Sequence, residues 1–275
     1  MKLIVTGGSG YLGAGILRRA PKTWAIAATY FAHSIVQESV AAFRVDVRDA
    51  NAVDHLLDEF RPDVVIHTAA QMTGDKMLAV NVDGSRNVAR AAARVNARLI
   101  HLSSDVIFDG EHAPYAESAP PDPISPYAES KARAEYAVLE DYPRAAIVRT
   151  SLIYGFDPVD PRTRQTLDGG MPCLFTDEYR CPIFVDDLAN ALLELAGNDH
   201  VGVLNIAGPQ RLSRHEFGAK MAGAFRVAPG FAPALSASYP GRRPRDCTLD
   251  ISLARRILQT RLRGVDEILA TALSL

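Results

Sequence analysis

Twelve residues near the N-terminus, KLIVTGGSGYLG, constrain the fold more than any other stretch. Lys2 to Thr6 is a short aliphatic and β-branched run, which reads as a buried strand. Gly7, Gly10 and Gly13 follow at three-residue intervals, and the helix after them ends before Pro21. Glycines so placed let backbone amides approach a pyrophosphate and let helix and strand pack closely. The helix start, at Tyr11 and Leu12, offers unpaired N–H groups and positive potential to phosphates. The same triplet can also make a tight turn with no ligand. Its position directly between a strand and a helix is the context that dinucleotide binding requires.

Further strands are expected at Trp24–Tyr30, Phe43–Asp46, Asp63–His67, Arg98–Ser103 and Ala145–Thr150. Helices should lie between them: one capped by Asp49 and running to Phe60, one over Lys76–Ala97, and one opened by Pro126. Such alternation predicts a Rossmann-like, doubly wound parallel α/β sheet with right-handed crossovers. Ala113 to Pro126 reads as an exposed loop, and beyond Thr150 the alternation weakens. Phe156 to Arg180 reads as an irregular insertion and Val227 to Pro240 as linker-like. Between and after them come a helix at Val185–Gly197 and a strand at Val203–Ala207. A helix capped by the Ser213–Glu216 box and two short helices near Ser252–Gln259 and Val265–Leu273 complete the chain. The expected division is a dinucleotide-binding domain over residues 1–152 and a smaller, partly irregular C-terminal substrate-binding part over 153–275. Segments near 183–207 are expected to return to the first domain.

Composition excludes several classes of function. The net charge of −2 over 275 residues argues against nucleic acid as the main partner, since phosphate binding shows as basic excess. Three cysteines, Cys173, Cys181 and Cys247, are odd in number and lack metal-ligand spacing. They suggest a reducing compartment, with no metal. No charged-then-apolar leader precedes the first strand, and no apolar run approaches the ~20 residues a bilayer span needs. A cytoplasmic chain without a membrane partner is expected.

Cofactor choice is read at the end of the second strand, where an acid would bond the adenine ribose 2′-hydroxyl and select NAD. The sequence there, ATYFAHS, has no acid, which permits NADP. His33 and Ser34 could donate to a 2′-phosphate, although no arginine stands in this loop and a plain loop histidine is the alternative. Small residues in TAAQM, after the fourth strand, leave room for a flat cofactor or for close packing.

A second constellation is YAESK, Tyr127 to Lys131. Four residues apart on a helix, the phenol and the ammonium lie on one face. A cation beside the phenol favours phenolate and lowers its pKa from ~10, which would suit proton transfer near neutrality. The bland alternative is a solvated helix face carrying Glu129, Lys131, Arg133 and Glu135.

TGGSGYLG, SSDVIF and YAESK, in this order and spacing, resemble the extended short-chain dehydrogenase/reductase family. SSDVIFDG, RTSLIYG and RPRDCTLD resemble its dTDP-4-dehydrorhamnose reductase branch. The resemblance implies NAD(P)H-dependent reduction of a 4-keto nucleotide sugar; the missing acid after the second strand favours NADP over NAD. Tyr127 would be the catalytic acid, and Lys131 would bond the nicotinamide ribose. Ser104 would bond the substrate carbonyl, because the family's hydroxyl residue sits four before the aromatic, here Phe108. Asp105 would touch the sugar. Asp46 and Val47 would flank the adenine, Ala69, Ala70 and Gln71 would line the dinucleotide, and Asn81 would lie near it. Arg242 or Arg243, on a loop the resemblance places near the substrate, would hold the substrate diphosphate, since an arginine fork suits phosphate oxygens; solvated surface charge pairing with Asp246 is the plain alternative, and Arg162 or Arg164 the other candidate anchor. A nucleotide sugar and a second copy of the chain, as a homodimer, are the expected partners.

One departure is Leu152, where the rhamnose-type reductases carry a tryptophan that packs on the sugar. The branch also includes a non-catalytic, NADP-binding regulatory subunit of methionine adenosyltransferase, which keeps binding without turnover as an alternative. An epimerase or dehydratase using the same triad is another. Val106 in place of the Glu of a dehydratase Asp-Glu pair counts against the dehydratase.

Overall fold

The aliphatic run Lys2–Thr6 forms strand β1, buried from Leu3 onward, in a computed structural model that describes residues 1–35 and 37–272. Helix α1 (Tyr11–Arg19) follows the glycine turn, then β2 (Ala25–Tyr30), β3 (Val40–Arg44), α2 (Ala50–Phe60) and β4 (Val64–His67). Helix α3 (Gly84–Arg94), β5 (Arg98–Ser104), α4 (Pro126–Asp141) and β6 (Ala146–Thr150) complete the regular alternation. The remainder is β7 (Ile153–Tyr154), α5 (Pro161–Leu167), β8 (Cys173–Phe175), β9 (Tyr179–Arg180), β10 (Ile183–Phe184) and α6 (Val185–Ala196). After these come β11 (Gly202–Asn205), β12 (Leu212–Ser213), α7 (Arg214–Ala224), β13 (Ala232–Ala234), α8 (Ser252–Ile257) and α9 (Val265–Ala272). The expected end of the last helix at Leu273 lies outside the described residues.

Seven strands, among the described residues, form one Rossmann-like sheet in the order β11-β6-β5-β4-β1-β2-β3. Val5 of β1 faces Ala28 on β2 and Ile66 on β4, both in parallel register. The chain first steps outward from β1 to β3 and then outward the other way from β4. The crevice between the C-terminal ends of β1 and β4 is therefore the switch point, where open α/β sheets bind ligands. Alanine-rich α3 packs Ala89, Ala91 and Ala92 against Leu57, Val65 and Leu99. Gly84 opens that helix because a Cβ there would sit 2.6 Å from Val47 Cγ2.

Several elements differ from the sequence-based expectation. Strand β3 starts three residues earlier and ends two earlier than the expected Phe43–Asp46. It is the sheet edge, and exposed Ala41 and Ala42 hide its pattern. The segment expected as one helix over Lys76–Ala97 holds a π-helical turn, Ala79–Asp83, which leads into α3. The extra residue in that turn carries Asn81 inward, as such bulges do at functional sites. The 113–126 loop is not simply exposed, since Tyr115 is buried, stacks on Phe108 at 4.0 Å and bridges to Leu249. The expected insertion over 156–180 contains α5, capped by Asp160, together with β8 and β9. The linker-like stretch contains β13, which pairs with β8 at Ala232 and Cys173. Strands of two or three residues are too short for a period of two to show.

The chain separates into two compact units. The first comprises Met1–Ser104, Pro126–Arg149 and Ala189–Leu204, and the second Asp105–Ser125, Thr150–Leu188 and the chain from Asn205. The second unit is built on two-stranded pairs, β7–β10, β8–β13 and β9–β12, and on an aromatic core. Tyr154 sits there, 5.4 Å from Phe217 and 5.8 Å from Phe184. No described helix is long and apolar enough to cross a membrane.

Within the first unit, Arg149 of β6 reaches Glu135 of α4, with Nη2 donating to Oε2 at 2.9 Å. Both side chains are buried, so Glu135 does not belong to a solvated helix face. Removing one partner of a buried pair leaves an uncompensated charge, whereas removing both does not. Glu135→Leu is expected to lose about 3–5 kcal/mol in urea unfolding. The double variant with Arg149→Met should recover most of that loss.

Candidate active site

At the switch point the glycine turn and the start of the segment after β4 press together. A Cβ on Gly7, whose φ is +70°, would lie 2.7 Å from Ala69 N. A Cβ on Gly13 would lie 2.3 Å from Gly7 O. Only hydrogen fits at either position, and the turn is thereby held flat against the sheet edge. Beside it opens a cavity of about 300 Å³. Gly7, Gly10, His33, Asp46, Val47, Ala69, Ala70 and Gln71 line it, all residues expected from sequence to hold a dinucleotide. Tyr11, Leu12 and Gly13 stand behind the turn, with Leu12 and Gly13 buried. A glycine cradle with no space for side chains and a long apolar-walled cavity fit a dinucleotide.

The cavity wall also includes residues the sequence reading did not single out, among them Phe31, Arg48 and Lys76. Arg48 makes a two-pronged contact to Asp46, with Nε donating to Oδ1 at 2.9 Å. Hydrogen bonds from Arg48 hold the Asp46 carboxyl below its usual range, against partial desolvation. The guanidinium groups of Arg44 and Arg48 lie 5.8 and 6.0 Å from the Phe31 ring. Positive charge thus reaches the end of β2 from β3 and from the turn after it. The signal was present as R-x-D-x-R, Arg44 to Arg48, but one strand away from the loop where it was sought.

Ser104 ends β5, and Tyr127 and Lys131 lie one turn apart near the start of α4, with Pro126 at its first position. Ser104 and Tyr127 are half-buried, and Lys131 is buried. Lys131 Nζ donates to Leu102 O at 2.6 Å, which ties the first turns of α4 to the end of β5. Burial pushes the ammonium down to about 8, while Glu135 pulls it in the other direction.

Beneath it are two buried imidazoles, His67 and His101, with ring centroids 5.3 Å apart. Burial, and then the Lys131 charge, push His67 down to about 3 and His101 well below its usual value, so both are neutral. Ser85 Oγ donates to Asn81 O at 2.5 Å, so it accepts from His67 Nε2 at 3.0 Å. His67 Nδ1 is then the acceptor for Thr6 Oγ1 at 2.6 Å. Asn81 continues the chain. Its amide is bonded to both Gln71 N and Gln71 O and donates to Ser130 Oγ at 2.8 Å. Ser130 Oγ in turn donates to Tyr127 O at 2.7 Å. Asn81 therefore does not line the cavity; it holds Gln71, which does.

In the second unit, Asp105 is buried, accepts from Ser151 Oγ at 2.6 Å and faces Arg180 Nε at 3.7 Å. Leu152 is half-buried just before β7. Arg243 Nε donates to Glu178 Oε2 at 2.6 Å, and its guanidinium lies 5.0 Å from Phe175 and 5.1 Å from Tyr239. Arg242 is exposed. Asp246 pairs with Arg211 rather than with either of them.

A family model described as the RmlD substrate binding domain matches residues 1–274. The dTDP-4-dehydrorhamnose reductase of Mycobacterium tuberculosis H37Rv is 32% identical over 300 residues, covering 99% of this chain and 92% of that protein. Methionine adenosyltransferase 2 subunit beta of Bos taurus is 27% identical over 279 residues, covering 91% and 80%. A solved structure of a hypothetical dTDP-4-dehydrorhamnose reductase from Sulfolobus tokodaii matches with a TM-score of 0.83 at 30% identity, covering 98% and 99%.

The lowered pKa of Lys131 has a measurable consequence. Below about pH 8 the folded and unfolded states both carry the proton, and the folded state bears the full penalty of a buried ammonium. Between about 8 and 10.5 the unfolded state binds more protons, so stability rises with pH, by on the order of 3 kcal/mol from this group. Lys131→Met should lack that rise. Urea unfolding of both proteins from pH 7 to 10.5 should show the variant more stable at pH 7, with the difference closing at the alkaline end.

Proposed function

We propose, for a chain that belongs to the RmlD substrate binding domain family and is an NAD(P)-dependent oxidoreductase of the extended short-chain dehydrogenase/reductase type, that it reduces the carbonyl of a 4-keto nucleotide sugar. The observation that carries this reading is the Lys131–Leu102 bond, which brings the Tyr-x-x-x-Lys helix to the strand end that bears Ser104. The bound dinucleotide supplies the hydride. Ser104 donates a hydrogen bond to the carbonyl oxygen as negative charge grows there. Tyr127 hands its phenolic proton to the same oxygen. Lys131, one turn along the helix, favours the phenolate that remains. The neutral state of His67 and His101 leaves Lys131 as the positive group beneath the site.

Arg242 and Arg243 are assigned to the substrate diphosphate. Stacking and the Glu178 contact use the Arg243 plane and Nε, and its terminal amino groups remain for phosphate oxygens. Leu152 leaves no aromatic platform for the sugar, which points to a sugar other than that of the rhamnose-type enzymes.

A second reading, dinucleotide binding without turnover, is supported by the likeness to methionine adenosyltransferase 2 subunit beta and by the same Leu152. Following absorbance at the NADPH band across a panel of 4-keto nucleotide sugars separates the two. Oxidation of NADPH with any of them supports the reductase, and none with all of them supports the binding protein.

Two outcomes are expected of the purified chain. NADPH should bind more tightly than NADH, because no acid follows β2 and Arg44 and Arg48 bring positive charge to the adenine end. Arg44→Ala combined with Arg48→Ala should erase that difference, roughly a ten- to hundredfold loss for NADPH alone in paired titrations. Tyr127→Phe keeps the ring and loses the proton. Its reduction rate should fall about 10²- to 10⁴-fold with dinucleotide affinity nearly unchanged, as measured by single-turnover kinetics.

A further inference from the structure

Arg214 is the first residue of α7, and 95% of its surface is buried (5% exposed). Among the described residues no hydrogen bond or ion pair engages its guanidinium, and Nη1 is fully enclosed. Its charge also has the wrong sign for its place, since a cation at a helix N-terminus opposes the helix dipole. The nearby acid is already occupied. Glu178 gives Oε1 to Arg180 at 3.1 Å and Oε2 to Arg243 at 2.6 Å. Arg214 contributes only its backbone N–H, to Glu178 O at 2.8 Å. Burial first, and then the charge of Arg162, push the guanidinium down to about 9. Thr163 Oγ1 is likewise buried without a partner.

These groups meet at one cavity. Arg162, Thr163 and Arg214 form its polar side, and Leu174, Phe217 and Met221 its apolar side. Its volume of about 10 Å³ matches a single oxygen atom with its hydrogens or a phosphoryl oxygen. A water in the cavity would leave two neighbouring arginines unneutralised, and burying unpaired charge is costly. An anion neutralises both. Asp160 does not supply it: its Oδ1 caps α5 through Thr163 N at 2.9 Å, its Oδ2 is buried without a partner, and no ion pair among the described residues joins it to Arg162 or Arg214.

We infer that Arg214, Arg162 and Thr163 form an anion site in the second unit that accepts a phosphoryl oxygen, supplied by the diphosphate of the nucleotide sugar. The choice of the nucleotide sugar over free phosphate rests on the reductase reading; the site itself does not. Arg214 donates from below, Thr163 adds its hydroxyl, and exposed Arg162 closes the mouth. Because the unliganded protein holds an uncompensated buried charge, ligand binding and stability are linked.

The test uses the full chain saturated with NADPH, titrated with dTDP, with UDP and with inorganic phosphate, and read by calorimetry and thermal unfolding. Wild type should bind a nucleoside diphosphate and unfold at a higher temperature in its presence. Arg214→Gln should weaken that binding roughly ten- to a hundredfold, with an unliganded melting temperature equal to or above wild type. Arg162→Gln, at an exposed position, should weaken it severalfold and provides the same readout if Arg214→Gln folds poorly. Wild-type affinity in both variants would overturn the site, as would a wild-type chain that binds none of the three probes. A phosphate response that depends on Arg214, beside a dTDP and UDP response that does not, would overturn the assignment to the nucleotide sugar. Arg214-dependent binding in a chain that reduces no 4-keto sugar would leave this site standing and remove the reductase reading instead.

Discussion

The hydrogen bond from Lys131 Nζ to Leu102 O is the contact on which the arrangement of Ser104, Tyr127 and Lys131 depends. It spans 29 residues of sequence and joins α4 to β5 two residues before Ser104. A buried ammonium with one carbonyl acceptor is a strained choice in the folded chain, which is why its proton is held loosely. The same burial sets the pH dependence that this lysine gives to stability.

Around that lysine the protein has built a polar layer through an otherwise apolar sheet. Thr6, His67, Ser85, Asn81 and Ser130 pass hydrogen bonds from the strand before the glycine turn to the backbone of Tyr127. Every link crosses between elements that are distant in sequence except the Ser85–Asn81 and Ser130–Tyr127 bonds. A buried network of this kind, fully satisfied along its length, favours one arrangement of its elements over others. It relates the glycine turn to the helix that carries Tyr127. His101 lies beside this network, with both ring nitrogens buried and unpartnered.

The second unit manages charge differently. Arg180, Arg214 and Arg243 surround Glu178, and Arg180 also faces Asp105. Pairing is complete for Arg180, partial for Arg243 and absent for Arg214. Such a series runs from residues that hold the fold to the one that the inferred anion site would use. Asp105, expected to touch a sugar, belongs to the first kind, because its carboxylate is buried against Ser151 and Arg180.

The sequence by itself determined the sheet, the glycine turn, the Asp49 cap, the Ser213–Glu216 box and the Tyr127–Lys131 face. Each of these is written in spacings shorter than about one helical turn or in a period of two or 3.6 residues. The switch-point cavity was legible for the same reason, since a glycine triplet between strand and helix permits few backbone paths. Tertiary structure alone decided which polar groups met. Glu135 read as surface and became the buried partner of Arg149, and Asn81 read as a cofactor neighbour and became the clamp on Gln71. Arg48 was visible but stood one strand away from the loop where a cation was sought, and Arg214 carried no signal until packing removed its water. Such outcomes depend on contacts between positions tens of residues apart, and on how much solvent each contact excludes. Neither quantity is encoded in local spacing.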